Sequence, residues 1–255
     1  MTQLLMVHGA PGDARTWTPV IDALGHRDAR AITLSFFASA GPVPGGEAFG
    51  TDRHANDLVA YIEEAMDAPV DLVAWSYGVH PALLAAKRRP ELFRRMFLYE
   101  PGLPTYVADE EARLAFDLDA PLAFGPIAMA MQQSGAEAAI EALMDSSGGE
   151  GFFASLPVER QRIYRDSAGM MPLLMGGGQP PADITPEDIA NIELAITVAV
   201  GEQTRPVFAI PSRALAGGLP HGILQTVPQA GHMLPEAEPR RFAGLLREWL
   251  DRDSE

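Results

Sequence analysis

Short apolar runs alternate with amphipathic stretches along much of this chain. Six runs rich in Val, Ile, Leu, Phe and Met are long enough for one buried strand each, and most end at a Gly, Pro or charged residue. The predicted strands span residues 3–7, 29–34, 71–74, 95–99, 194–200 and 224–227. Strands that alternate with helices predict a mostly parallel sheet with helices on both faces.

The intervening stretches repeat apolar residues at helical spacing. Between the strands, helices are predicted over 16–24, from a cap at Thr51 or Asp52, over 81–87, 206–215 and 236–249. From about residue 106 to 192 the strand pattern stops, and helices are predicted over 109–116, 122–133, 137–144 and 158–168. We therefore predict an α/β core domain formed by residues 1–105 and 193–255, with residues 106–192 inserted as a helical cap.

Composition adds limits to this picture. The 255 residues are 47% hydrophobic, enough to bury one full core. Cysteine is absent, which excludes disulfides, thiolate metal sites and a cysteine nucleophile. The sequence contains no phosphate-binding glycine turn after the first strand and no histidines at ligand spacing, so neither a cofactor nor a metal is predicted.

The charge balance limits the classes of partner. Acidic residues number 34 against 19 basic ones, a net charge of −15, which argues against nucleic acid or an anionic membrane as the partner. The apolar runs are of strand length, so no membrane helix is predicted. The N-terminus is interpreted as a strand rather than a signal peptide, and the expected location is cytoplasmic.

Candidate chemistry centres on the segment Asp71-Leu-Val-Ala-Trp-Ser-Tyr-Gly78. An apolar strand stops there at Ser76, between small residues, and a helix follows. A serine on such a turn projects its hydroxyl above the carboxyl edge of the sheet, beside the N-terminus of the helix. The pattern Gly-x-Ser-x-Gly is typical of a nucleophile elbow, and here Ala74 takes the first position.

A serine nucleophile needs a histidine base, and His232 is the preferred candidate. It lies in the loop between the last strand and the last helix, which a parallel sheet brings to the same edge as Ser76. We interpret His26 and His54 as surface or capping residues, and His80 as pointing along its helix. His221 is predicted in a loop, and His8 in a structural hydrogen bond of its own loop.

Together these motifs resemble the α/β-hydrolase fold superfamily. The matching residues are His8-Gly9 after the first strand, the elbow around Ser76, and Gly231-His232 before the last helix. The resemblance implies a helical cap and an oxyanion hole formed by the backbone N–H groups of Ala10 and Tyr77.

The resemblance leaves the acidic partner of His232 open. Most relatives carry Asp after the penultimate strand, where Thr204 stands here. Glu100, which ends the strand next to that of Ser76, is the favoured acid, as in zearalenone-type lactonases. Glu202 is the second candidate and Asp188 the third.

The leading functional hypothesis is a serine hydrolase that cleaves a carboxylic ester or lactone of a small to medium, partly apolar molecule through the Ser76-His232-Glu100 triad and an acyl-enzyme. Alternatives are a lyase, cyclase or dehydratase on the same fold, as in hydroxynitrile lyases, and a binding protein with a vestigial site. The residues do not fix the oligomeric state, and a homodimer is compatible with them. Apolar residues expected to line the substrate pocket are Phe116, Phe124, Met129, Met170 and Leu174.

Overall fold

A single sheet of six parallel strands forms the centre of the molecule. The computed structural model describes residues 2–26, 28–38 and 49–252. The sheet order is β2-β1-β3-β4-β5-β6, with every pair parallel. The strands are β1 (Leu4–Val7), β2 (Ala29–Ile32), β3 (Val70–Trp75), β4 (Phe93–Tyr99), β5 (Ala195–Gly201) and β6 (Gly222–Val227). The predicted α/β-hydrolase fold is thus confirmed, with all six predicted strands present.

Helices connect the strands and cover both faces of the sheet. They are α1 (Thr18–Leu24), α2 (Thr51–Ala65), α3 (Val79–Arg88), α9 (Pro206–Gly218), α10 (Leu234–Ala237) and α11 (Pro239–Asp251). From the centre of the sheet, the chain first adds β2 on one side of β1. It then adds β3, β4, β5 and β6 in turn on the other side of β1. Because the crossovers are right-handed, this reversal puts α1 on one face and α2, α3 and α9 on the other. Helix α11 packs against α1.

Between β4 and β5 the chain is helical. The helices there are α4 (Glu110–Ser134), α5 (Ala136–Gly148), α6 (Phe152–Ser155), α7 (Val158–Arg165) and α8 (Pro186–Ala190). Residues 100–194, all of them described, contain no strand. Arg160 of α7 ties this region to the strand-bearing part: its guanidinium donates to Glu236 at 2.8 Å and to the carbonyl of Arg15 at 3.0 Å. The division into a core and a cap domain stays a prediction.

Two predicted helices in this region are one continuous helix. The sequence predicts a break between residues 116 and 122, but α4 runs unbroken over 25 residues, with Pro121 and Pro126 inside it. Both prolines lie on the exposed side, while Phe116, Ala123 and Ile127 are buried. Packing of the buried side therefore outweighs the backbone hydrogen bonds that the prolines remove.

Other helix ends also differ from the sequence pattern. The C-terminal helix predicted as one element is two, because Pro239 forces the preceding Glu238 out of helical geometry, to φ −134° and ψ 62°. Helix α2 begins at Thr51, and its N-cap is Gly50 rather than Thr51 or Asp52. The loop predicted over residues 36–50 lies in large part outside the described residues, as does the end of the acidic tail.

Helix α4 is the one described helix with the length and apolar character to span a bilayer. Its mean hydropathy reaches 1.3 over an 18-residue window, of which 17% is buried. Length and composition alone are weak evidence for a membrane span, and Asp119 within the helix pairs with Arg205, the N-cap residue of α9, at 2.8 Å. The sequence pattern misses the full length of this helix, because the two prolines divide the predicted helix into shorter pieces.

Candidate active site

Ser76 lies on a strained turn directly after β3. Its backbone has φ +55°, a left-handed conformation that residues other than glycine rarely adopt. The neighbouring backbone approaches so closely that a Cβ at Gly78 would lie 2.5 Å from the carbonyl oxygen of His8. A Cβ at Gly9 would lie 2.9 Å from the Cβ of Ser76. Small residues therefore let the loop after β1 and the turn after β3 meet at the serine.

His232 reaches this serine from the loop after β6. Its Nε2 lies 3.0 Å from Ser76 Oγ, and its Nδ1 lies 2.8 Å from Glu100 Oε2. A carboxylate can only accept hydrogen bonds, so the proton of the neutral ring is on Nδ1 and Nε2 is free to accept the serine proton. The ring is 5% exposed, which shields both bonds from competing water.

Glu100 extends from the end of β4 and is fully buried. Its Oε1 accepts from the backbone N–H of Gly201 at 2.7 Å, and its Oε2 accepts from Thr204 Oγ1 at 2.8 Å in addition to His232. Three donors converge on one carboxylate, so both of its buried oxygens are satisfied by hydrogen bonds. A buried charge that is satisfied in this way can hold the histidine tautomer and stabilise an imidazolium.

The other two candidate acids lie elsewhere. Glu202 accepts from the backbone N–H of Gln229 at 2.9 Å and is solvent-exposed. The carboxylate of Asp188 accepts from the backbone N–H of Thr185, the N-cap of α8, at 2.9 Å and pairs with Lys87 at 2.7 Å. The structure therefore brings Ser76, His232 and Glu100 into one chain of hydrogen bonds, the arrangement that the predicted roles require.

Two aromatic residues that the sequence pattern did not single out hold the histidine loop. The indole N–H of Trp75 donates to the carbonyl of His232 at 3.1 Å, and the hydroxyl of Tyr99 donates to the carbonyl of Gly231 at 2.8 Å. Trp75 and Tyr99 are register partners across β3 and β4. Each is the last residue of its strand and directly precedes a site residue. A large aromatic side chain with a polar group at such a strand end could therefore have indicated, from sequence alone, a residue that supports the site.

Phe208 of α9 completes the surroundings of the imidazole. Its ring stacks on His232 with 3.5 Å between centroids and 9° between planes. On another side, the Trp75 ring lies 5.7 Å from that of His232. The electron-rich face of Phe208 is suited to stabilise the positive charge that the imidazole acquires on taking a proton.

The two residues predicted to form the oxyanion hole, Ala10 and Tyr77, line the same pocket as Ser76. Tyr77 is additionally fixed by its side chain, because its hydroxyl lies 2.7 Å from Nδ1 of His54. Nε2 of that histidine lies 3.0 Å from the carbonyl oxygen of Ser35, so Nε2 carries the proton and Nδ1 accepts from the tyrosine. The oxyanion role of the two amides stays a prediction.

His54 itself corrects an expectation. The sequence suggested a surface or capping residue, but the ring is fully buried among Phe37, Phe49 and Tyr77. It sits on the inner face of α2, where Ala55, Leu58 and Ile62 are also buried. The spacing of apolar residues in α2 could have predicted this burial, because position 54 lies one helical turn before the buried Leu58.

The remaining histidines lie away from the serine. His8 is buried, with Nδ1 3.0 Å from the carbonyl of Gly9 and Nε2 accepting from the N–H of Leu34 at 3.1 Å. Nε2 of His80 lies 2.6 Å from the carbonyl of Ala182. The structural hydrogen bond predicted for His8 within its own loop is thus present, whereas for His80 we predicted only that the side chain points along its helix. His221 is exposed and lies 3.2 Å from Glu193.

These buried histidines predict a stability that depends on pH. Burial lowers the pKa of both His8 and His54 from 6.5 to about 4. As the pH falls from 6.5 towards 4, the unfolded chain binds protons at these rings and the folded chain does not, so stability that is full above pH 6.5 is lost. We expect about 2 kcal/mol lost per ring between about pH 7 and pH 5, as measured by urea unfolding.

Matched variants separate this effect from other titrations. His54→Gln should show a clearly smaller loss of unfolding free energy over the same pH interval than the wild type does. His221→Gln, at an exposed ring, should show the wild-type loss. An equal pH dependence in His54→Gln and the wild type would contradict the assignment.

An apolar pocket opens above Ser76, with a volume of about 400 Å³. Of the five cap residues expected to line it, Phe124 and Leu174 do so. Phe116 and Met170 are buried instead, and Met129 is 56% exposed. Among the described residues, no Arg, Lys, Asp or Glu lines it. The lining residues are Ala10, Trp75, Ser76, Tyr77, Gly102, Leu103, Phe124, Ile127, Leu143, Ser147, Leu174, Met175, Phe208, His232 and Met233.

A second, polar cleft of about 510 Å³ adjoins the first and shares His232, Met233 and Ser147 with it. Its one cation is Arg205, whose guanidinium is bound by both carboxylate oxygens of Asp119 at 2.8 and 3.1 Å. The guanidinium of Arg205 is thus already neutralised by a carboxylate. Within residues 2–26, 28–38 and 49–252, no cluster of acidic and histidine side chains could hold a metal ion.

Comparison with known proteins places this arrangement in a family context. A model of the alpha/beta hydrolase family matches residues 4–245. A Bacillus subtilis (strain 168) protein described as a 2-succinyl-6-hydroxy-2,4-cyclohexadiene-1-carboxylate synthase is 23% identical, and the match covers 97% of this chain and 89% of that protein.

Solved structures with the same fold include two enzymes that act on esters or lactones. An esterase from Thermogutta terrifontis superposes with a TM-score of 0.73 at 20% identity, covering 99% of this chain and 90% of its own. The enol-lactonase from Burkholderia xenovorans LB400 superposes with a TM-score of 0.72 at 13% identity, covering 98% and 92%. At such identities the likeness establishes the fold alone.

Proposed function

The chain belongs to the alpha/beta hydrolase family, and on that basis we propose that it is a serine hydrolase that cleaves an uncharged, largely apolar carboxylic ester or lactone. The observation that carries the proposal is the unbroken chain of hydrogen bonds from Ser76 through His232 to Glu100, with 3.0 and 2.8 Å between the bonded atoms. This is the arrangement that activates a hydroxyl for acyl transfer.

In the first half of the proposed reaction, Ser76 Oγ attacks the carbonyl carbon and His232 Nε2 takes its proton. The oxyanion is stabilised by the N–H groups of Ala10 and Tyr77, a contribution worth about 2.7–4 kcal/mol per donor. As the bond between the carbon and the leaving oxygen breaks, His232 returns the proton to that oxygen. An acyl-enzyme and an alcohol result; for a lactone, the alcohol stays attached to the acyl group.

In the second half, water attacks the acyl carbon while His232 takes a proton from it. The tetrahedral intermediate collapses, Ser76 Oγ leaves and regains that proton, and the carboxylic acid is released. Glu100 stays ionised throughout and stabilises the transient imidazolium through Nδ1. The histidine ring needs no movement between the two halves, because Trp75 and Phe208 hold it in one orientation.

Support for an uncharged substrate comes from the pocket above Ser76. Most of its lining side chains are apolar and none of the described ones is Arg or Lys, so burying a substrate carboxylate there would be costly. The name of the Bacillus subtilis relative specifies a carboxylate-bearing product. A non-hydrolytic reaction of that kind is the second candidate, favoured by the match over 97% of this chain and disfavoured by the missing cation.

A matched pair of substrates tests the proposal. We expect p-nitrophenyl butyrate to be hydrolysed with a kcat/KM at least about 10²-fold above that of the p-nitrophenyl monoester of succinic acid, which adds one carboxylate at similar length. Hydrolysis by the wild type should vanish in Ser76→Ala. Preference for the succinate monoester, or turnover that persists without the Ser76 hydroxyl, would contradict it.

A further inference from the structure

Helix α4 carries a row of large apolar side chains that nothing covers within the described chain. Leu114, Leu118 and Leu122 are 58%, 76% and 69% exposed, and Met129, further along the same side, is 56% exposed. Residues four apart lie on neighbouring turns of one helix face. We call this set, Leu114, Leu118, Leu122 and Met129, the leucine row.

The leucine row is not needed to hold α4 on the fold. The opposite side of the helix, with Phe116, Ala123 and Ile127 buried, packs against α5 and α9. Asp119 fixes the same helix to α9 through Arg205. Isolated exposed leucines are common on monomers, but a contiguous row on one helix is typical of an interaction surface.

Most of the α4 segment that carries the leucine row has few charges, although the protein as a whole is strongly acidic. The chain has a net charge of −15, yet residues 118–134 contain a single ionisable side chain, Asp119, and Arg205 neutralises it. Two acidic molecules repel each other wherever their charged surfaces meet. Two copies that meet along this stretch of α4 therefore bring few charges together.

We propose that the leucine row is the interface of a homodimer, in which α4 packs antiparallel on the α4 of a second copy with the two-fold axis beside Leu122. A two-fold interface is self-complementary. Leu122 lies at the middle of the 25-residue helix. With the axis there, Leu122 meets its own copy, and Leu114 and Leu118 meet the apolar stretch around Pro126 and Met129.

The polar ends of α4 fit the same arrangement. Glu110 and Glu111 begin the helix, and Gln132, Gln133 and Ser134 end it. In the antiparallel pair, the carboxylates of one copy face the amide and hydroxyl donors of the other. A parallel pair would place the acidic first turns side by side and align the two helix dipoles, and both effects are unfavourable. The charges therefore select the antiparallel orientation.

This interface would lie next to the pocket above Ser76. Phe124 and Ile127, on the same helix, line that pocket. The partner copy would therefore fix the helix that roofs the site, and dimerisation would limit how far α4 can move when a substrate enters. The proposal rests on the exposed face and its charges, and it stands or falls independently of the hydrolytic activity.

Because the chain has no cysteine, single introduced cysteines test the geometry directly. Leu122→Cys should be cross-linked to its own copy in high yield by a short bis-maleimide. Leu114→Cys alone should not, since about 24 Å of helix separates the two copies of that position in the antiparallel pair. A mixture of Leu114→Cys and Met129→Cys should give the heterodimeric product, and Val158→Cys, at an exposed position of α7, should give none.

Sedimentation and light scattering test the assembly itself. The wild type should be dimeric at micromolar concentration, Leu122→Glu should be monomeric with an unchanged circular dichroism spectrum, and Val158→Glu should stay dimeric. A monomeric wild type overturns the proposal, as does a dimer that survives Leu122→Glu. Wild type that stays monomeric and binds phosphatidylcholine vesicles through Leu122 would assign the face to a lipid surface instead.

Discussion

Replacing Glu100 by glutamine is expected to lower kcat/KM for an ester substrate by about 10³–10⁴-fold while the protein stays folded. The amide keeps the size of the side chain but loses the charge that stabilises the imidazolium, and it can donate to Nδ1, which favours the wrong histidine tautomer. The measurement is steady-state hydrolysis of p-nitrophenyl butyrate, with urea unfolding as the check on stability. Glu202→Gln is the matched control, because that exposed carboxylate contacts the backbone of Gln229 and not the histidine.

The neighbouring Thr204 makes a rescue experiment available. Its hydroxyl lies 2.8 Å from the same Glu100 oxygen that binds His232, so position 204 is adjacent to the acid. We expect Glu100→Ala/Thr204→Asp to hydrolyse the ester at least about tenfold faster than Glu100→Ala, since the new carboxylate can reach Nδ1 across the vacated volume. Full activity in Glu100→Gln, or loss of activity in Glu202→Gln, would reassign the acid.

Loss of the Ser76 hydroxyl is expected to have the largest effect of any single substitution. Ser76→Ala should reduce kcat by about 10⁶-fold and leave only what the oxyanion donors and binding supply. The wild type should take up one fluorophosphonate group, seen as a mass increase of the intact protein, and Ser76→Ala should take up none. Since labelling needs an activated serine and no known substrate, it tests the nucleophile independently of substrate choice.

Ser147 provides the control for that experiment. It lines the same pocket as Ser76, but no hydrogen bond to a histidine is found for it among the described residues. Ser147→Ala should therefore be labelled like the wild type. A folded wild type that takes up no label would favour a non-hydrolytic reaction on the same fold, whereas labelling that survives in Ser76→Ala would place the nucleophile elsewhere.

Much of this candidate site could be predicted, because a parallel sheet places residues that follow different strands at the same edge. The apolar runs ending before Ser76 and before Glu100 mark the carboxyl ends of two neighbouring strands, and Gly231-His232 follows the last strand. Strand ends share one edge, so sequence order alone predicts that these side chains meet. Whether these side chains come within hydrogen-bond distance depends on the register between the strands, in which Trp75 lies opposite Tyr99. The composition of a single strand does not determine that register.

Features that depend on three-dimensional packing escaped the sequence. The sequence suggests a surface or capping role for His54, but the ring is enclosed by Phe49, five residues before it, and by Phe37 and Tyr77 from segments distant in sequence. The continuity of α4 was hidden by Pro121 and Pro126, whose local preference against helix is overridden by the packing of the opposite face. Of the five residues predicted to line the pocket, only Phe124 and Leu174 do so, since helical spacing does not tell which side of a helix faces the site.

The hydrogen bond between Thr204 and Glu100 has a consequence for how such sites change over evolutionary time. It joins Glu100, the proposed acid, to Thr204, which stands where the family resemblance places the acid of most relatives, and both positions lie beside His232. A chain with carboxylates at both positions would keep a working triad while either one is lost. The acid can therefore pass from one strand end to the next by single substitutions, without an inactive ancestor between the two arrangements.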